Sequence, residues 1–112
     1  MSVDCIFCKI VKGDIPSKKI YEDEEVIAFH DIHPIAPVHF LIVPKVHIES
    51  LIEAKAEHQA LLGKILLLAP TLAQAQGLNG FRTMINTGRE GGQEVFHVHV
   101  HVFGGGQHLP KT

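Results

Sequence analysis

No stretch of this sequence is long and apolar enough to cross a bilayer as a helix. The longest run, ILLLAPTLA at 65–73, stops well short of the ~20 residues required and contains Pro70. Positive charge is not in excess either: Lys+Arg number 10 against Asp+Glu 12, a net charge of −2. The basic stripe that nucleic acid needs is therefore missing, and neither nucleic acid nor a membrane is an expected partner. The opening MSVDCIFCKI lacks a basic segment followed by an apolar core, so no signal peptide is visible and the expected compartment is cytoplasmic. Internal repeats and low-complexity tracts are absent. At 112 residues the chain can bury one modest core and not two, so residues 1–112 are expected to form a single domain. The unusual abundance is histidine, present nine times.

Local patterns suggest an α+β order. CIFCKIVKGDIP reads as one or two helical turns ending at Gly13 and Pro16, a lid on the rest of the fold. KKIYED and EVIAFHDI read as two strands joined through the acidic EDEE, and the two-proline loop HPIAPV leads into a third strand, HFLIVPK. Ser50 and Glu53 match a capping box at a helix start. Beyond it, Leu61, Leu62, Ile65, Leu66, Ala69, Leu72, Ala73 and Gln76 keep a helical spacing up to Gly77, with a kink or break expected at Pro70. FRTMIN and VFHVHVHVF supply two more strands, joined by the glycine-rich TGREGGQ. The expectation is a five-stranded antiparallel sheet with one long helix and a short N-terminal helix.

FHVHVHVF at 96–103 sets histidine at every second position. In a strand His97, His99 and His101 would share one face at intervals of ~6.6 Å, with Val98, Val100 and Val102 on the other against the long helix. A solvated strand face would mix Thr, Lys, Glu and Ser rather than repeat one residue. A single zinc ion could hold two neighbours at most, because its ligand atoms lie only ~3.4 Å apart. Imidazole is nucleophilic when neutral and donates hydrogen bonds when protonated, so adjacent histidines suit chemistry on a phosphate ester or phosphoramidate. GREGGQ just upstream can present unhindered backbone N–H groups to phosphate oxygens, although glycines there also suit a plain hairpin.

The pattern His-φ-His-φ-His-φ-φ, with φ apolar, is met at every position by HVHVHVF at 97–103, and in this the chain resembles the histidine triad (HIT) family. The similarity extends through CIFCKIVKGDIPS, FHDIHPIAPVHFLIVPK and MINTGREGGQEVFHVHVHVFGG, nearly the whole chain. It is greatest with the nucleotide-binding branch that hydrolyses purine nucleoside phosphoramidates. The resemblance implies that His99 attacks the α-phosphorus and forms a covalent nucleotidyl-histidine, that His101 hydrogen-bonds the phosphoryl oxygens, and that His39 extends the polar relay. Asn86 and the backbone around Gly92, Gln93, Glu94 and Val95 would hold phosphate and leaving group. His30, Asp31 and Ile32 would border the nucleoside, with Asp31 accepting from the ribose hydroxyls. Glu94 stands where well-known animal members carry serine, and a carboxylate beside phosphate favours cationic leaving groups such as a lysine amine.

Cys5-x-x-Cys8 alone reads as a metal half-site, a redox pair or two idle thiols. The bulky Ile6 and Phe7 between them, with no preceding strand, argue against thioredoxin-like chemistry. The resemblance implies a structural zinc site made of Cys5, Cys8, His47 and His97, with no cofactor needed for catalysis. It also implies a homodimer, for which the long helix or the fifth strand would supply a surface. The leading expectation is thus a nucleoside phosphoramidase acting on AMP or GMP phosphoramidates. Its rivals are a nucleotide-binding regulatory module with incidental hydrolysis and a metal-handling protein.

Overall fold

The computed structural model describes residues 5–106 and 109; His108 and most of the tail lie outside them. The order is α1 (Ile6–Lys12), β1 (Lys19–Glu22), β2 (Val26–His30), β3 (Val38–Pro44), α2 (Gln59–Ala75), β4 (Arg82–Met84) and β5 (Val100–Gly104), with three short 3₁₀ turns between. The five strands form one sheet in the order β1-β2-β3-β5-β4, and every neighbouring pair is antiparallel. Among the described residues no helix is long and apolar enough to cross a membrane.

Strand alternation sorts the core onto two faces. Val26, Ala28, Phe40, Ile42, Val100 and Val102 pack with Ile65, Ala69, Leu72 and Ala73 of α2. Ile27, Phe29, Leu41 and Val43 point the other way, where Cys5 and Phe7 of the α1 segment cover them. The β1–β2 turn is closed by Asp23, whose Oδ1 accepts from the N–H groups of Glu25 and Val26. Lys64 ties α2 to that turn through Asp23 and Glu25, each at 2.8 Å.

Three expectations are corrected. Ser50 does not open the long helix; it caps a 3₁₀ turn, Leu51–Glu53, accepting from Ile52 N–H and donating to Glu53 Oε1 at 2.8 Å. The chain extends again at Ala54 and Lys55 before α2 begins at Gln59. Leu51 and Ile52 are exposed, so no buried stripe carries the first turn onward into an α-helix. Pro70 does not break α2, which runs through it to Ala75. The proline removes only the bond to the Leu66 carbonyl, and Leu66 lies on the exposed side of the helix.

Third, the histidine row is not one continuous strand. β5 starts only at Val100, so His97 and His99 precede the ladder and only His101 belongs to it. The approach bends through residues 95–97, and Val98 N–H leaves the strand pattern to bond Ile48 O at 2.7 Å. β5 is also paired on both sides, by β3 and β4, and offers no free edge to a second copy; the sheet edges are β1 and β4.

Candidate active site and a cysteine–histidine cluster

On the face away from α2, a cleft of about 1060 Å³ opens between α1, the start of β3 and the loop before β5. His39, His99 and His101 line it together with His30, Asp31, Ile32, Asn86, Gly92, Glu94 and Val95. Gln93 and His97, also singled out by the sequence, are absent from its wall. Gln93 is buried and braces the loop instead. Its Oε1 accepts from Gly88 N–H at 2.8 Å, and its Nε2 donates to Glu49 O at 2.7 Å and Val95 O at 3.0 Å.

The register of β3 on β5 builds the centre of the site. Leu41 faces His101 and His39 faces Phe103, which makes His39 and His101 diagonal neighbours on one face. Ile35 N–H donates to His39 Nδ1 at 3.1 Å, so the His39 proton sits on Nε2. From there it is donated to His101 Nδ1, 2.9 Å away. His101 must then carry its own proton on Nε2, the nitrogen left to face a ligand. Asp31 Oδ2 lies 3.4 Å from His39 Nε2 and 3.9 Å from His101 Nδ1.

His99 has the complementary tautomer. Its Nδ1–H donates to the His97 carbonyl at 2.7 Å, which leaves the Nε2 lone pair free. The His99 ring stands 4.9 Å from the His101 ring, centroid to centroid. Burial lowers the pKa of His99 and of His39, against the opposing pull of the Asp31 carboxylate. Burial also pushes His101 down to about 4, helped by repulsion from His99 and His39. At neutral pH the site therefore holds one imidazole with a free lone pair beside one with a fixed donor, groups whose chemistry suits nucleophilic attack and oxyanion stabilisation.

The backbone contribution is narrower than the glycine-rich loop suggests. Gly91 and Gln93 N–H both bond Gly88 O, and Gly92 N–H bonds Arg89 O. The loop closes on itself in a 3₁₀ turn, Arg89–Gly91, capped by Gly92 in the left-handed region at φ 86°. Among the described residues, the N–H groups of Glu94 and Val95 are the ones along 91–95 left without a partner.

His97 turns into the protein behind this cleft. Its Nε2–H donates to Pro44 O at 2.7 Å, so its Nδ1 lone pair faces Cys5 Sγ at 3.2 Å, Cys8 Sγ at 3.5 Å and His47 Nδ1 at 3.2 Å. Cys8 Sγ to His47 Nδ1 is 3.3 Å, and all four atoms lie within 4.8 Å of one another. Two sulfurs and two imidazole nitrogens converging at these separations fit a tetrahedral zinc ion, and the Pro44 carbonyl supplies the outer partner that fixes a ligand's tautomer. Burial, with Cys5 alongside, raises the Cys8 thiol to about 11; a cation at the centre would reverse that cost.

Asp31, His39 and His101 also converge within 4.8 Å, yet they suit a proton relay rather than a metal. Ligation through His39 Nε2 would drive its proton onto Nδ1, straight against the Ile35 N–H.

Sequence reasoning missed the α1 wall of the cleft: Ile6, Phe7 and Ile10 line it, followed by Pro16 and Lys18. Phe7 meets Phe29 edge-on at 5.7 Å and His99 at 5.0 Å. The sequence marks the segment only as a lid on the fold, and the bulk of the two residues between the cysteines is the signal that could have placed it in the cleft wall.

With this geometry in place, comparisons with known proteins have a clear result. The profile of the HIT domain matches residues 12–108. Protein HitA of Neisseria gonorrhoeae is 56% identical over 102 residues, covering 90% of this chain and 95% of its own. The purine nucleoside phosphoramidase of Escherichia coli K12 is 43% identical over 107 residues, 94% of this chain and 90% of its own. Among solved structures, a HIT family hydrolase from Legionella pneumophila Philadelphia 1 superposes with a TM-score of 0.90 at 46% identity, covering 93% of this chain and 95% of that one.

Proposed function

The chain belongs to the HIT domain family, and from that premise we propose that it hydrolyses purine nucleoside 5′-phosphoramidates through a covalent nucleotidyl-histidine on His99. The observation that carries this reading is the pair of opposed tautomers: a free Nε2 lone pair on His99 beside a fixed Nε2–H on His101. The name of the Escherichia coli relative, a purine nucleoside phosphoramidase at 43% identity, supports the substrate class.

In the proposed reaction the His99 Nε2 lone pair forms a bond to phosphorus while the bond from phosphorus to the amine nitrogen breaks. The nitrogen leaves as the amine, its proton supplied by water. His101 Nε2–H and the N–H groups of Glu94 and Val95 donate to the phosphoryl oxygens as their charge grows. Water then attacks phosphorus and gives up one proton to the hydroxide left by the first step, the P–Nε2 bond breaks with its electron pair returning to Nε2, and the nucleoside monophosphate departs with His99 neutral again. His30, Asp31 and Ile32 would border the nucleoside, and Glu94 with Asn86 would face the leaving group. Every step uses protein groups and water, so no cofactor is assigned to catalysis.

We further propose that Cys5, Cys8, His47 and His97 hold a structural zinc ion, which would tie the α1 segment to the sheet and add its binding energy to folding. The active species is proposed to be a homodimer; Leu66 and Leu67 on the outer face of α2, the latter 77% exposed, support that helix as its surface.

The test is AMP release from an adenosine 5′-phosphoramidate with a lysine leaving group. Native protein should release AMP and His99→Ala should not. Release by both would remove His99 from the mechanism. Release by neither, beside tight nucleotide binding, would favour a binding module.

A further inference from the structure

Besides the His101 ring 4.9 Å away, two contacts hold the ring of His99, and both of these lead back to the cysteine–histidine cluster. Along the chain, the carbonyl that takes its Nδ1–H belongs to His97, whose own ring sits among the cysteine sulfurs. Through space, the second hold is Phe7, which lies between Cys5 and Cys8 in sequence. Its buried ring stands edge-on to His99, centroids 5.0 Å apart and planes at 87°. The same ring touches His97 at 5.9 Å and Phe29 at 5.7 Å.

A single hydrogen bond at Nδ1 leaves an imidazole free to tilt about the N···O axis, and the perpendicular ring of Phe7 opposes the tilt from the α1 side, as His101 does from β5. Phe7 in turn rides on α1, a helix of 7 residues, too short to hold its place by its own hydrogen bonds. Its start is fixed by Cys5, whose sulfur accepts from Cys8 N–H at 3.3 Å and lies 3.2 Å from His97 Nδ1. Removing the cluster's restraint therefore loosens both the helix carrying Phe7 and the carbonyl holding Nδ1.

We propose that Phe7 is a positioning residue: clamped through Cys5 and Cys8, it holds the His99 imidazole in the plane from which Nε2 faces the cleft, so that zinc in the cluster governs the geometry of the nucleophile. The proposal rests on the reading of His99 as nucleophile. It differs from a role for Phe7 as a mere wall of the cleft, because a wall acts on substrate binding and a positioning contact acts on the chemical step.

The experiment compares zinc-loaded native protein with zinc-loaded Phe7→Leu, which keeps an apolar wall but loses the aromatic edge. Turnover of adenosine 5′-phosphoramidate should fall about 10-fold or more in kcat, since small misplacements of a reacting group are costly. KM should stay within about 2-fold, the pattern of an interaction made only in the transition state. Without substrate, the proton resonance of His99 Nδ1–H should be sharp and slow to exchange in the native protein. It should broaden in Phe7→Leu and, equally, in native protein stripped of zinc by a chelator. A raised KM with unchanged kcat would make Phe7 only a wall, and a His99 resonance indifferent to both treatments would overturn the proposal. If Phe7→Leu fails to fold, Phe7→Met repeats the comparison. Should native protein show no turnover, the resonance still decides the role of Phe7, so the two readings fail separately.

Discussion

His97 and His99 are two residues apart in one run of sequence, yet their rings carry opposite tautomers into different parts of the molecule. The Pro44 carbonyl takes the Nε2–H of His97 and leaves Nδ1 to face two sulfurs and His47. The His97 carbonyl takes the Nδ1–H of His99 and leaves Nε2 to face the cleft. The first imidazole is sealed at 0% exposure, and the second is 7% exposed beside His101. Which ring nitrogen a backbone carbonyl occupies decides whether the same side chain offers its lone pair to the cysteine cluster, as the proposed zinc site needs, or to the cleft, as the proposed nucleophile needs.

Alanine at each position separates the two roles most directly. His99→Ala should cost on the order of 10⁴-fold or more in kcat with zinc content unchanged. His97→Ala should instead lose zinc and stability first. A His99 variant that loses zinc would show that the two sites are one unit.

The next largest effect is expected in the cluster. Cys5→Ser should lower bound zinc and reduce the melting temperature by roughly 10 °C or more, as the loss of ~2 kcal/mol would in a domain of this size. Stoichiometric zinc retained in that variant would remove Cys5 from the site. His39→Ala sharpens the cleft side: freed from its relay, His101 no longer has a fixed Nε2–H, and kcat should fall roughly 10- to 100-fold. Zinc content should not move, and unchanged kcat would show that His101 keeps its tautomer without His39.

The smallest effect is a pH dependence of stability. Burial lowers His101 from its ordinary 6.5 to about 4 in the folded chain, so protonation favours the unfolded state. Its stabilising contribution is complete above pH 6.5 and is lost as pH falls from there toward 4. The slope of melting temperature over that window should be shallower in His101→Gln than in the native protein. Equal slopes would exclude His101 as a titrating group.

Much of this was legible beforehand. Turn residues and β-branched runs marked the strands, and an antiparallel sheet with a long helix follows from their order. Val100 and Val102 reach α2 as the two-residue period requires, because a strand turns alternate side chains to opposite faces. The histidine row marked the site region, since His99 and His101 line the cleft, while the phosphate chemistry read from it belongs to the proposed function. Other features followed longer-range causes. The capping residues Ser50 and Glu53 were present but enclosed only a 3₁₀ turn, since the residues after them bury nothing. Glycines 91 and 92 promised free donors, yet their N–H groups close the loop on itself.

The sequence by itself determined the strand period, the sheet's two faces and the supply of imidazoles and thiols, because these depend on residues only a few positions apart. Tertiary structure decided which nitrogen of each imidazole is free. It brought Cys5 to His97 across 92 positions and His39 to His101 across 62, and it set Phe7 against His99. Those outcomes depend on carbonyls, backbone donors and ring edges delivered by other strands and by α1, and no local pattern encodes where such partners will lie.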